Sequence, residues 1–179
     1  MGDSLITIVA IVLAAILMFI FPLMSMSDRT DDISQLTVKT ATTEFVDNVR
    51  TTGRLSMADY SAFEQKISAT GNSYDIEMEV QVLDENPGKK TTQASSTKIG
   101  ENVYYSMYTS QILDTISSSD GTNKVLALKE GDMFSTSVRN TNTTLSQQLK
   151  NFFYTVAGND TYTIAAEHGG YVTANGSGN

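Results

Sequence analysis

The sequence predicts an α+β protein: a long N-terminal hydrophobic helix continues into a spine, and the spine packs against a small antiparallel sheet with short helices. Three observations carry this prediction. Residues 4–27 contain no charged side chain. Residues 38–49 repeat apolar side chains at helical spacing, and later segments switch to the two-residue alternation of half-buried strands. The boundaries that follow are 1–27 for a hydrophobic transmembrane or assembly helix, 28–53 for its amphipathic continuation, and 54–179 for one extracellular globular α+β domain.

The apolar run holds Leu5, Ile6, Ile8, Val9, Ile11, Val12, Leu13, Ile16, Leu17, Met18, Phe19, Ile20 and Phe21. It is about as long as the roughly 20 residues that cross a bilayer. A cleaved secretory signal would begin with basic residues and end on small ones. Here Met1, Gly2 and Asp3 precede the run, and Phe19, Phe21, Leu23 and Met24 crowd its far end. Retention is therefore expected, either as a permanent span or as one that leaves the membrane to pack on copies of itself. Only Arg29 lies close enough to bias orientation, and the short amino end is expected inside.

Asp28, Arg29, Asp31 and Asp32 form a polar collar after the run. Val38, Ala41, Phe45 and Val49, with Val46 beside them, then make one apolar face, while Lys39, Thr43, Asp47 and Arg50 lie opposite. One helix over residues 5–52 is expected, with two separate helices as the alternative. Pro22 is expected to kink or locally unwind it, and Gly53 to end it. Thr37, Thr40, Thr42 and Thr43 are mediocre helix formers, so packing must supply much of the stability.

Ser56, with Asp59 three residues on, marks a helix start; Tyr60, Phe63 and Ile67 continue it until Gly71. Residues 74–82 alternate Tyr74, Ile76, Met78, Val80 and Val82 against Asp75, Glu77, Glu79 and Gln81, the clearest strand in the chain. Asn86, Pro87 and Gly88 make a turn, and the Thr/Ser-rich stretch to Lys98 reads as edge strand or loop. Tyr104, Met107, Tyr108, Gln111, Ile112 and Ile116 fall on a helical stripe ending at residues 117–121. Residues 125–128 and 133–139 read as two strands of a hairpin through Lys129, Glu130, Gly131 and Asp132. Leu145, Gln148, Leu149, Phe152 and Phe153 mark a short helix. Residues 161–167 alternate as a strand that Gly169 and Gly170 break. Tyr104, Tyr108 and Phe152 are expected in the globular core.

Composition narrows the function. The net charge of -8 argues against binding nucleic acid through bulk electrostatics. Absence of cysteine excludes both a disulfide framework and a thiolate metal site. His168, the sole histidine, sits beside Gly169 with no nucleophile signature around any serine. Glu77 with Glu79, and Asp84 with Glu85, are read as solvated positions and not as an acid–base pair. Asp28, Asp31 and Asp32 do not match calcium-loop spacing, and no glycine-rich phosphate loop occurs. No catalytic, metal or cofactor site is therefore expected. Asn142, Asn159 and Asn175 each begin a glycosylation acceptor triplet, a pattern that a Thr-rich chain also produces by chance.

The nearly terminal apolar helix, the stretch 43–53 beginning Thr43-Glu44-Phe45-Val46, the Tyr74-Asp75-Ile76-Glu77 strand after Thr70-Gly71-Asn72, and the closing Gly169-Gly170-Tyr171-Val172 together resemble type IV pilin-like proteins. The nearest similarity is to small pilin-like proteins of tight-adherence and related bacterial secretion systems. That resemblance implies a non-enzymatic subunit held in the inner membrane as a precursor, then delivered by a pilus or secretion machinery into a helical homopolymer at the cell surface. Leu5, Ile8, Val12, Ile16, Phe19, Pro22 and Met24 would then pack between subunits. The family's processing would fall between Gly2 and Asp3; Thr7 occupies the fifth position from Asp3, where the family commonly carries Glu. A single-span, membrane-anchored extracellular binding module, or a minor pseudopilin of a secretion complex, is the alternative.

Overall fold

A computed structural model describes residues 2–83, 104–117, 124–154 and 163–176. Its first element is one continuous helix, α1 (Gly2–Thr52), of 51 residues. At about 1.5 Å per residue it is roughly 75 Å long. Pro22 lies inside it without ending it, so the two-helix alternative does not hold. Gly53 stops it in the left-handed region at φ +66°, its N–H donating to Val49 O at 2.8 Å. The threonines of the spine reach back one turn: Thr37 to Ile33 O, Thr42 to Val38 O and Thr43 to Lys39 O, at 2.8, 2.8 and 2.9 Å. For buried Thr42 this satisfies a hydroxyl that would otherwise be stranded in the core.

Along the chain follow β1 (Arg54–Ser56), α2 (Met57–Ser68), β2 (Tyr74–Leu83), β3 (Tyr104–Tyr108), α3 (Thr109–Ile116), β4 (Val125–Ala127), β5 (Met133–Asn140), α4 (Leu145–Tyr154) and β6 (Ala165–Tyr171). The α2 start is a capping box, as its Ser56 and Asp59 predict: Asp59 N donates to Ser56 Oγ, and Ser56 N to Asp59 Oδ2. Four strands form an antiparallel sheet in the order β3-β2-β5-β6, and β1 pairs with β4 in a separate ribbon.

The register puts Val80 opposite Phe134 and Ile76 opposite Val138, so one sheet face is apolar. That face meets Val38, Ala41, Phe45, Val46 and Val49 of α1 in a single core. Phe45 is the junction of three elements. Its ring stacks on Phe63 of α2 at 4.5 Å between centroids and meets Phe134 of β5 edge-on at 5.8 Å. The α+β architecture expected from the sequence is therefore the observed one.

Several local expectations are corrected. Residues 104–108 are a strand paired with 79–83, and the helix occupies only α3, which buries Ile112 and Ile116. Aromatic side chains suit a pleated, half-exposed surface, and pairing with β2 decides the outcome. Consequently Tyr104 and Tyr108 are exposed and do not belong to the core. The side chain of Phe152, the turn at Asn86, Pro87 and Gly88, the stretch to Lys98 and the helix end at 118–121 lie outside the described residues.

The turn at residues 129–132 exists, with Asp132 N donating to Lys129 O and Lys129 N to Asp132 Oδ2. It joins two sheets and is not a hairpin, because β4 pairs with β1 while β5 pairs with β2 and β6. Gly169 and Gly170 do not end β6 either. A Cβ at Gly169 would lie 2.7 Å from Ser135 Cβ, so the glycine permits close strand approach.

Candidate functional site

The N-terminal half of α1 stands clear of the domain. Every residue from 4 to 19 is exposed, and the first buried side chain is Ser27. Leu5 is 65 % exposed and Phe19 76 %, with Ile8, Val12 and Ile16 between them exposed as well. Pro22 is exposed and Met24 half-buried. Gly2 and Asp3 lie in the first turn, and their surroundings fall outside the description. A helix apolar on all sides is satisfied by lipid or by burial among other apolar surfaces, a bundle of similar helices included. By length and composition α1 is able to cross a membrane.

A polar joint begins where the domain takes hold. Thr144 caps α4: Gln147 N donates to Thr144 Oγ1 at 3.2 Å, and Thr144 N donates back to Gln147 Oε1 at 3.0 Å. The capped end faces α1, where Thr144 Oγ1 donates to buried Asp31 at 2.7 Å and Ser146 Oγ donates to Asp28. The positive end of the α4 dipole is thus set against two carboxylates. The polar collar read in the sequence is therefore a docking surface for α4. The Thr144-x-x-Gln147 spacing is the signal that would have revealed the cap.

Farther along α1, Gln35 bonds to the backbone of Ala165, and Asp47 accepts from Arg50 at 2.8 Å and contacts His168 Nε2 at 3.1 Å. Arg50 Nε also donates to Tyr171 O at 3.0 Å. The hydrogen bond from His168, aided by its charge and by Arg50, holds the Asp47 carboxyl below the usual aspartate range despite some desolvation. The sole histidine fastens a strand to the spine.

On the sheet's outer face a trough of about 660 Å³ is lined by Glu77, Glu79, Tyr108, Ser135, Ser137 and Glu167 among others. Glu79 accepts from Ser106 Oγ at 2.7 Å and from Gln81 Nε2 at 3.1 Å. Among the described residues no three His, Asp or Glu side chains gather as metal ligands. Asn142 spends its amide at both ends, accepting from Ser73 N and donating to Asn72 Oδ1. Asn175 is exposed and accepts from Glu130 N, whereas Asn159 lies outside the described residues.

No family model matches this chain, and no curated protein or solved structure matches it.

Proposed function

We propose that this chain is a structural subunit of an extracellular pilus-like filament, assembled through its N-terminal hydrophobic helix. One observation supports the reading above all. The helix that is bare and apolar on every side over residues 4–19 is the same unbroken helix that supplies the domain core from Val38 to Val49. A tether needs only a greasy span, and flexible linkage would serve it. A spine shared between span and core transmits the packing of one half to the position of the other.

In this reading the chain sits in the membrane before assembly, and Leu5, Ile8, Val12, Ile16, Phe19, Pro22 and Met24 pack against the same helix in other copies. The acidic domain then faces outward at the cell surface. The work is assembly, without catalysis or cofactor. Mechanical shearing of cells producing the full chain tests it: the expected result is polymer of this protein free of membrane. Ile16→Lys should abolish the polymer, since a charge inside an apolar bundle costs several kcal/mol. Recovery in the membrane fraction alone would refute the filament and favour the single-span binding module.

A further inference from the structure

The domain does not release α1 at the edge of the charge-free run. Among residues 4–27 the side chains that are not exposed are Ile20, Met24 and Ser27, and with Asp31 they form one stripe at helical spacing. Cover therefore extends two turns into the apolar segment.

The element that meets α1 at this level is α4. Its Thr144 bonds Asp31, and Ser146, two residues on, bonds Asp28, nearly one turn nearer the N-terminus. Leu145, between them, is 66 % exposed, and it lines one cleft with Ser27 and Thr30. Leu145, Leu149, Phe152 and Phe153 recur in the sequence at the spacing of one helix face.

Depth follows from length. Residues 4–27 rise about 36 Å, against roughly 30 Å for the hydrocarbon core of a bilayer and roughly 40–45 Å with its headgroups. When α1 spans, Asp28 and Asp31 stand in the headgroup layer. An exposed leucine held between their two hydrogen-bonding partners stands there as well.

We infer that α4 is an interfacial foot: while α1 crosses the bilayer, α4 rests in the headgroup layer with Leu145 turned into the lipid, and the domain is seated on the membrane instead of being held above it. The inference rests on the membrane stage of the filament reading and adds the depth and orientation of the domain at that stage. Acidic residues dominate the collar, Asp28, Asp31 and Asp32 against Arg29, so the surface it fits is zwitterionic and not anionic lipid.

The chain contains no tryptophan, so a single one placed in the full chain reports depth. Phe19, Leu145 and Tyr171 are all exposed, and replacing them leaves the core intact. In phosphatidylcholine vesicles brominated on the acyl chains, Leu145→Trp should lose most of its emission to the bromines, and Phe19→Trp, inside the span, should lose it too. Tyr171→Trp should keep its emission, because Tyr171 is bonded to Arg50, about 33 Å farther along the spine than Asp28. Quenching at Phe19 without quenching at Leu145, or equal quenching at Leu145 and Tyr171, would overturn the seated foot and leave the span standing. No quenching at Phe19 overturns the span and the inference with it.

Discussion

Gln35 holds Ala165 by both of its backbone groups: Nε2 donates to the carbonyl at 2.6 Å, and Oε1 accepts from the N–H at 3.0 Å. Ala165 opens β6, which has β5 on one side and, among the described residues, no strand on the other. The amide side chain thus takes the place of a neighbouring strand and blunts an edge that would otherwise invite pairing.

Gln35→Ala should cost about 1–3 kcal/mol, since two backbone groups lose their partner at a half-buried site. Denaturant titration of the full chain in nonionic detergent measures the loss. Amide exchange at Ala165 should accelerate while that of β2 changes far less. A variant as stable as the wild type, with Ala165 still protected, would contradict this role.

Gly53 combines a left-handed backbone with a close main-chain approach. At φ +66° a Cβ there would lie 2.3 Å from Ala174 O and 2.5 Å from Gly176 N, both main-chain atoms that cannot swing aside. Left-handed strain adds about 1–2 kcal/mol for an L-residue. Gly53→Ala should therefore destabilise the domain by about 3 kcal/mol or more, in the range reserved for backbone strain and clash. Gly71, also left-handed but with open space around its Cβ position, should tolerate alanine better.

The Asp47 carboxyl titrates below the usual aspartate value near 4 because His168 and Arg50 favour its ionised form. A depressed folded pKa gives stability that is fully present above the unfolded value and is lost as pH falls through the folded one. The stability contributed by this one carboxyl should thus be lost at acid pH, below about 4. By carboxyl NMR, His168→Ala should raise the Asp47 midpoint more than Arg50→Gln does. A midpoint insensitive to His168 would rule out the assigned cause.

Thr136 is 1 % exposed, in effect a core residue, and its hydroxyl has no hydrogen-bond partner among the described residues. Its neighbours across the sheet are Met78 and His168. Thr136→Val keeps the shape and removes an unsatisfied polar atom, so it should stabilise the domain by about 1 kcal/mol. Thermal unfolding would show a higher midpoint; a lower one would mean that the hydroxyl is satisfied in solution.

Local signals proved legible where one segment contains its own reason. The Ser56/Asp59 cap, the alternation of 74–82 and the helical stripe from Val38 to Val49 all depend on residues a turn or two apart. Pairing was not legible. Tyr104 and Tyr108 fit a helical stripe as well as a strand, and only the presence of residues 79–83 alongside makes them β. The turn at 129–132 is chemically right, yet β4 finds β1, more than 60 residues earlier, instead of β5. Asp28 and Asp31 read as a wet collar because their partners, Ser146 and Thr144, are over 100 residues distant.

What the sequence alone determined is the greasy helix, its continuation as an amphipathic spine, and the α+β class, because charge-free length and periodicity are properties of contiguous residues. Tertiary structure decided strand order, the burial of Asp31, and the fastening of β6 by Gln35 and Arg50. Those depend on which distant segments meet, and sidedness of a helix acquires meaning only once one side is covered.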